Sequence, residues 1–187
     1  NSDINVDLAT NKVRYLNEIK ERWRVTVLDT GLNTMTGARL ARAKDHIGDE
    51  TFYFTYGDGL SDVNLRQLYD YHRRSGKVLT MTAVQPDGRF GTFESDKEDN
   101  VVSFAEKPKG DGAWINGGFF VCEKEIFDFV EINEFCVFEK EPMESLAAAS
   151  ELKVFRHQGF WRCMDTLKDR NELEELAMEN PRWLLNG

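Results

Sequence analysis

Cysteine is scarce in this chain: Cys122, Cys136 and Cys163 are three among 187 residues, with no C-x-x-C spacing. That count excludes a disulfide framework and a zinc ribbon, and it fits a reduced, cytoplasmic setting. Histidine is as sparse, and His46, His72 and His157 lie too far apart to suggest a Ser/His/Asp or Cys/His arrangement. No apolar run approaches the length that crosses a bilayer, and nothing near Asn1 reads as a signal peptide, so no membrane partner is expected. An excess of positive charge is missing too. Lys and Arg number 24 against 33 Asp and Glu, a net charge of -9, which argues against a nucleic-acid partner. Repeats, linkers and low-complexity segments are absent, and the chain begins without methionine.

What is present is ordinary for a globular protein: 41% hydrophobic and 30% charged residues, enough for one domain with a real core over 1–187. The most telling stretch is Phe52-Tyr53-Phe54-Thr55-Tyr56-Gly57-Asp58-Gly59. Its β-favouring, largely aromatic run predicts a buried central strand, and ligands of open α/β sheets bind where strands end. An acid between two glycines at that point suits a hard cation such as Mg²⁺ shared with substrate phosphates. An isolated G-D-G is also an ordinary turn, so the rest of the chain has to decide.

Short strands are expected at Ile4–Leu8 and Val13–Leu16, and a firm one at Val25–Leu28, opening into the Thr- and Gly-rich loop Asp29–Gly37. Thr36 is placed to cap a helix carrying Leu40, Ala43, Lys44 and Ile47, and Asp62 to cap another with Leu65, Leu68, Tyr69 and His72, ended by Gly76. With Val78–Val84 the order is β-α-β-α-β, which predicts parallel strands. Then comes a hairpin, Phe90–Glu94 with Val101–Glu106, followed by a strand at Trp114–Cys122. Helices are expected at Glu123–Glu131 and Glu139–Ala149, a strand at Leu152–Arg156, a bend at Gly159–Met164, and a last helix at Thr166–Met178. Leu167, Leu173, Leu176 and Ala177 are expected to face inward on that last helix.

Polar loops after strands supply the chemical candidates. Asp165 reads either as a helix cap or as a second carboxylate beside Asp58 on a cation. Glu106, Lys107 and Lys109 offer groups for sugar hydroxyls and a phosphate, or form a solvated turn. Arg39, Arg89 and Arg162 are the other cations that could gather locally. Asn116-Gly117-Gly118 puts two glycines inside a strand, which suggests a close approach to the backbone.

Five segments carry a resemblance. They are V-T-V-L-D-T-G with T-G-A-R-L within Val25–Leu40, F-T-Y-G-D-G at Phe54–Gly59, G-R-F-G at Gly88–Gly91, F-A-E-K-P-K-G-D-G-A-W-I-N-G-G-F-F-V at Phe104–Val121, and G-F-W-R-C-M-D-T-L at Gly159–Leu167. In these the chain resembles the glucose-1-phosphate cytidylyltransferases, within the nucleotide-diphospho-sugar transferase superfamily. The resemblance implies a Rossmann-like mixed α/β sheet flanked by helices, with a β-hairpin extension. It also implies transfer of a cytidylyl group from CTP to α-D-glucose 1-phosphate with Mg²⁺, for surface-polysaccharide sugars, in a homo-oligomer.

Residue by residue, Asp58 and Asp165 would hold the metal, and Thr34, Arg39 and Gly57 would face the nucleotide. Glu106, Lys107 and Lys109 would take the sugar phosphate, with Lys107 also counted as catalytic, and Gly91, Asn116 and Gly117 would lie against the hexose. The family's glycine-rich G-G-x-G-T-R loop and downstream lysine do not occur, so Asn1 is expected to fall inside the family's chain. A uridylyl- or thymidylyltransferase, or a non-catalytic sugar-phosphate binding module, remain the alternatives.

Overall fold

In the computed structural model the described residues are 4–15, 23–86, 92–95, 97–105 and 113–184. The hairpin β1 (Ile4–Asp7) and β2 (Lys12–Tyr15) pairs Val6 with Val13, and the Asp7 carboxylate closes its turn by accepting from the Ala9 amide at 2.9 Å. Residues 25–28 are not a strand. Val25 and Val27 are 74% and 90% exposed, and among the described residues no strand lies beside them. β-propensity is a fit to a pleated, half-buried surface, and without a neighbour to share hydrogen bonds it produces none.

Helix α1 (Thr36–Arg42) continues through Ala43 into the short α2 (Lys44–Ile47). Thr36 does not cap it. Its hydroxyl donates to Glu139 at 2.8 Å and accepts from the Phe138 amide at 3.0 Å, so it ties the helix start to a distant segment instead. Strand β3 (Phe52–Thr55) leads into β4 (Gly59–Ser61) and α3 (Leu65–Ser75). Asn64, not Asp62, caps α3 by accepting from the Gln67 amide at 2.9 Å, while Asp62 stands 2.8 Å from His157. Gly76 ends α3 in the left-handed conformation, as expected.

Strands β5 (Leu79–Val84), β6 (Thr92–Ser95), β7 (Val101–Ala105) and β8 (Ile115–Cys122) follow, β6 and β7 forming a separate antiparallel ribbon. A single 3₁₀ stretch, Lys124–Asp128, stands where a longer helix is expected. Helix α4 (Glu141–Ala148), strands β9 (Leu152–Arg156) and β10 (Trp161–Cys163), and helix α5 (Leu167–Glu179) complete the order. Of the inward residues expected on α5, Leu173 is buried but Leu167 is 74% exposed.

The main sheet runs β3-β8-β5-β9. β3 and β5 therefore point the same way, as the β-α-β order predicts, but the antiparallel β8 lies between them, and only β5 and β9 pair in parallel. β3 is accordingly an edge strand among the described residues rather than the central one: Phe52 and Phe54 turn inward while Tyr53 stays 48% exposed. The continuous burial belongs to β5 and β8. Phe54 stacks on Phe120 at 5.4 Å and meets Phe138 edge-on at 5.3 Å, with Leu79, Ile126 and Leu146 filling the same core. The outcome is a Rossmann-like mixed sheet flanked by helices.

Candidate active site

Sheet direction sets the location. The carboxyl ends of β3, β5 and β9 and the start of β8 lie along one edge, because Thr55 pairs with Phe119, Val84 with Ile115 and Ala83 with Arg156. Open α/β sheets bind ligands at that edge. Just beyond β3, β4 and β10 form an antiparallel ribbon with Gly59 opposite Cys163. One step further the Met164 amide donates to the Asp58 carbonyl at 2.8 Å. Two aspartates far apart in sequence, Asp58 and Asp165, are thereby brought to adjoining backbone positions, and both residues are exposed.

Asp165 is not a helix cap. Thr166 caps α5 by accepting from the Asp169 amide at 3.2 Å, and Asp169 completes a capping box by accepting from the Thr166 amide at 2.9 Å. The Asp165 carboxylate accepts from the Cys163 thiol at 3.2 Å. Burial, and then this carboxylate, push the Cys163 thiol up to about 11. Among the described residues no three His, Cys, Asp or Glu side chains gather as a metal set. Two oxygen-donor carboxylates suit a hard cation that takes the rest of its shell from phosphate and water.

The glycine pair of β8 is approached closely by the protein itself. A Cβ on Gly117 would lie 3.0 Å from Val84 Cγ1 and 3.1 Å from the Thr82 carbonyl, and the Gly117 carbonyl accepts from Trp161 Nε1 at 2.7 Å. Gly118 has φ +76°, and a Cβ there would meet the Tyr56 ring at 2.9 Å. Asn116 folds back, its side-chain oxygen accepting from the Gly118 amide at 2.9 Å. Gly57 is different: its φ is not left-handed, and a Cβ there would meet nothing within 4 Å.

Of the nucleotide-side residues, Thr34 is buried and its hydroxyl accepts from Arg42 at 2.8 Å. Arg39 is exposed, donating to the Thr30 hydroxyl at 2.6 Å and the Leu32 carbonyl at 3.2 Å. Both therefore shape the Asp29–Thr34 loop. Arg162 pairs with Glu172 at 3.0 Å, and it lines a cleft of about 490 Å³ with Gln85, His157, Trp161 and Arg182. Gly91, Glu106, Lys107 and Lys109, with Arg89, lie outside the described residues.

Sequence reasoning missed Glu139. Its carboxylate accepts from the Thr36 hydroxyl and from the Tyr56 hydroxyl. Burial first, then Glu139, hold Tyr56 well above the ordinary tyrosine range, so it remains a protonated donor. No local signal marks such a group, since its partners lie on distant segments.

The mixed sheet flanked by helices is the fold of the nucleotide-diphospho-sugar transferases. The structure of HddC from Yersinia pseudotuberculosis superposes with TM-score 0.54 at 20% identity, over 77% of this chain and 63% of that one. The nucleotidyl transferase family model matches residues 9–169, and the chain belongs to that family of enzymes. Within it, the glucose-1-phosphate cytidylyltransferase of Salmonella typhimurium is 45% identical over 176 residues, 94% of this chain and 68% of the relative. The mannose-1-phosphate guanylyltransferase of Mycobacterium tuberculosis is 31% identical over 72% of this chain and 39% of its own length. No helix among the described residues is long and apolar enough to cross a membrane.

Proposed function

We propose that the chain serves a glucose-1-phosphate cytidylyltransferase, converting CTP and α-D-glucose 1-phosphate to CDP-glucose and pyrophosphate for surface-polysaccharide sugars. We place it in the cytoplasm as part of a homo-oligomer. The preference for cytidylyl over guanylyl transfer rests on the identities of 45% and 31%. The observation that carries the site is Asp165, relieved of capping by Thr166 and adjoining Asp58.

In this reading an anionic oxygen of the sugar phosphate attacks the α-phosphorus of CTP. The bond from that phosphorus to the bridging oxygen breaks, and pyrophosphate leaves with its electron pair. No general base is needed, because the nucleophile is already ionised at neutral pH; catalysis is positioning and charge neutralisation. Asp58 and Asp165 would hold Mg²⁺, which when bound neutralises phosphate charge. Lys107 and Lys109 steady the sugar phosphate, Glu106 accepts from hexose hydroxyls, and Gly91, Asn116 and Gly117 border the hexose. Thr34 and Arg39 hold the loop that faces the nucleotide, Arg39 retaining N–H donors beyond the two in use among the described residues, and Gly57 leaves its approach open.

The test pairs turnover with binding. Asp58→Asn should lower pyrophosphate release by roughly 100-fold or more, the scale lost with a main electrostatic contributor. Near-normal turnover would remove Asp58 from this role. Calorimetry with Mg²⁺, CTP and glucose 1-phosphate should show both substrates binding to the unaltered chain. Binding of the sugar phosphate alone would favour a non-catalytic module, and preference for another nucleotide a sister transferase.

A further inference from the structure

One exposed carboxylate joins two segments that border the proposed site. Glu139 uses both oxygens, one for the Tyr56 hydroxyl and the other for Thr36 Oγ1 at 2.8 Å. Tyr56 is the last residue before Gly57-Asp58, and its amide donates to the Gly118 carbonyl at 3.3 Å. Its ring sits over Gly118 and packs edge-on against Phe54 at 5.8 Å and Phe120 at 5.6 Å. Thr36 opens α1 directly after the Asp29–Thr34 loop, and it also accepts from the Phe138 amide at 3.0 Å. The aromatic core would accept phenylalanine at 56 equally well. What the hydroxyl adds is a link to Glu139, whose two oxygens accept from two hydroxyls.

Resting on the function proposed above, we infer that Tyr56 and Glu139 are a positioning pair that fixes the Asp58 turn relative to the Asp29–Thr34 loop, so that the metal carboxylate and the nucleotide loop keep one mutual placement. The pair touches no reacting atom. On one side Asp58 is held through its carbonyl by the Met164 amide. On the other, a Cβ on Gly57 would meet nothing within 4 Å, so the seat of Tyr56 is the packed anchor on that side of the turn.

The test measures Mn²⁺ binding by electron paramagnetic resonance in the presence of CTP, alongside melting midpoints, for the unaltered chain, Tyr56→Phe, Glu139→Ala, Glu139→Gln and the Tyr56→Phe/Glu139→Ala double variant. Tyr56→Phe and Glu139→Ala should each raise the half-saturating Mn²⁺ concentration about tenfold, with no further rise in the double variant, as expected of residues acting through one link. Glu139→Gln keeps a carbonyl acceptor for Tyr56 and should stay within about twofold of the unaltered chain. Unchanged affinity in both single variants, multiplying effects in the double variant, or losses that follow the melting midpoint without rescue by glutamine each overturn the inference while leaving the proposed function standing. An unaltered chain that binds no Mn²⁺ with CTP overturns the functional reading itself, and the inference with it.

Discussion

A glycine pair and a single glycine lie at the same sheet edge for opposite reasons. Gly117 and Gly118 are demanded by the fold: one is pressed against β5 and the other has φ +76° under the Tyr56 ring. Gly57 is not, since its backbone is ordinary and open space surrounds the position of a Cβ. A glycine that the protein's own packing explains says little about ligands. A glycine that packing leaves unexplained, next to an exposed aspartate at the edge where open α/β sheets bind ligands, is the one to test for a ligand.

The largest expected break in this contrast is Gly118→Ala. A left-handed conformation costs an L-residue about 1–2 kcal/mol, and displacement of the packed Tyr56 ring adds to it. Urea denaturation should show a loss of about 2 kcal/mol or more; a value near zero would mean that the ring is not seated where Gly118 requires it. Gly57→Ala should do the reverse, leaving stability within about 0.5 kcal/mol while weakening binding of CTP and Mg²⁺ about tenfold by calorimetry, or about 1.4 kcal/mol. Equal binding would show that the open space has no occupant.

The smallest effect is one of pH, and it falls on the far end of the glycine-bearing strand. There Glu123 follows β8 and accepts from Thr51 at 2.8 Å and Arg73 at 2.9 Å, with His72 at 3.3 Å. Burial holds His72 below its ordinary value of 6.5, against the pull of Glu123. The stability contributed by neutral His72 is thus present above about pH 6.5 and lost as pH falls towards its lower folded value. Denaturation midpoints should decline over that stretch, and His72→Gln should flatten the decline.

The element ends that frame the candidate site were legible because their signals are local. Gly57-Asp58-Gly59 after an aromatic run marks the end of a strand, and Gly76 marks the end of α3. The errors share one cause. Among the described residues Val25–Leu28 has strand composition but no neighbour, and the Phe52–Tyr56 run reads as central yet lies at an edge; Thr36 and Asp62 read as caps, yet Thr36 bonds to the distant Glu139 and Asp62 stands beside His157. Each depends on a partner that a linear reading cannot supply. Asp165 shows the same dependence in the opposite sense, because only the Thr166–Asp169 capping box removes its ordinary structural role.

By itself, then, the order of residues determined the succession of most strands and helices and the identity of the acids worth testing. These follow from side-chain periodicity, backbone freedom and charge, which act over a few residues. The tertiary structure alone decided that β8 enters between β3 and β5, that Asp58 and Asp165 adjoin, and that Glu139 joins Tyr56 to Thr36. Those contacts join segments far apart in the chain, and their hydrogen bonds exist only once the core has brought the segments together.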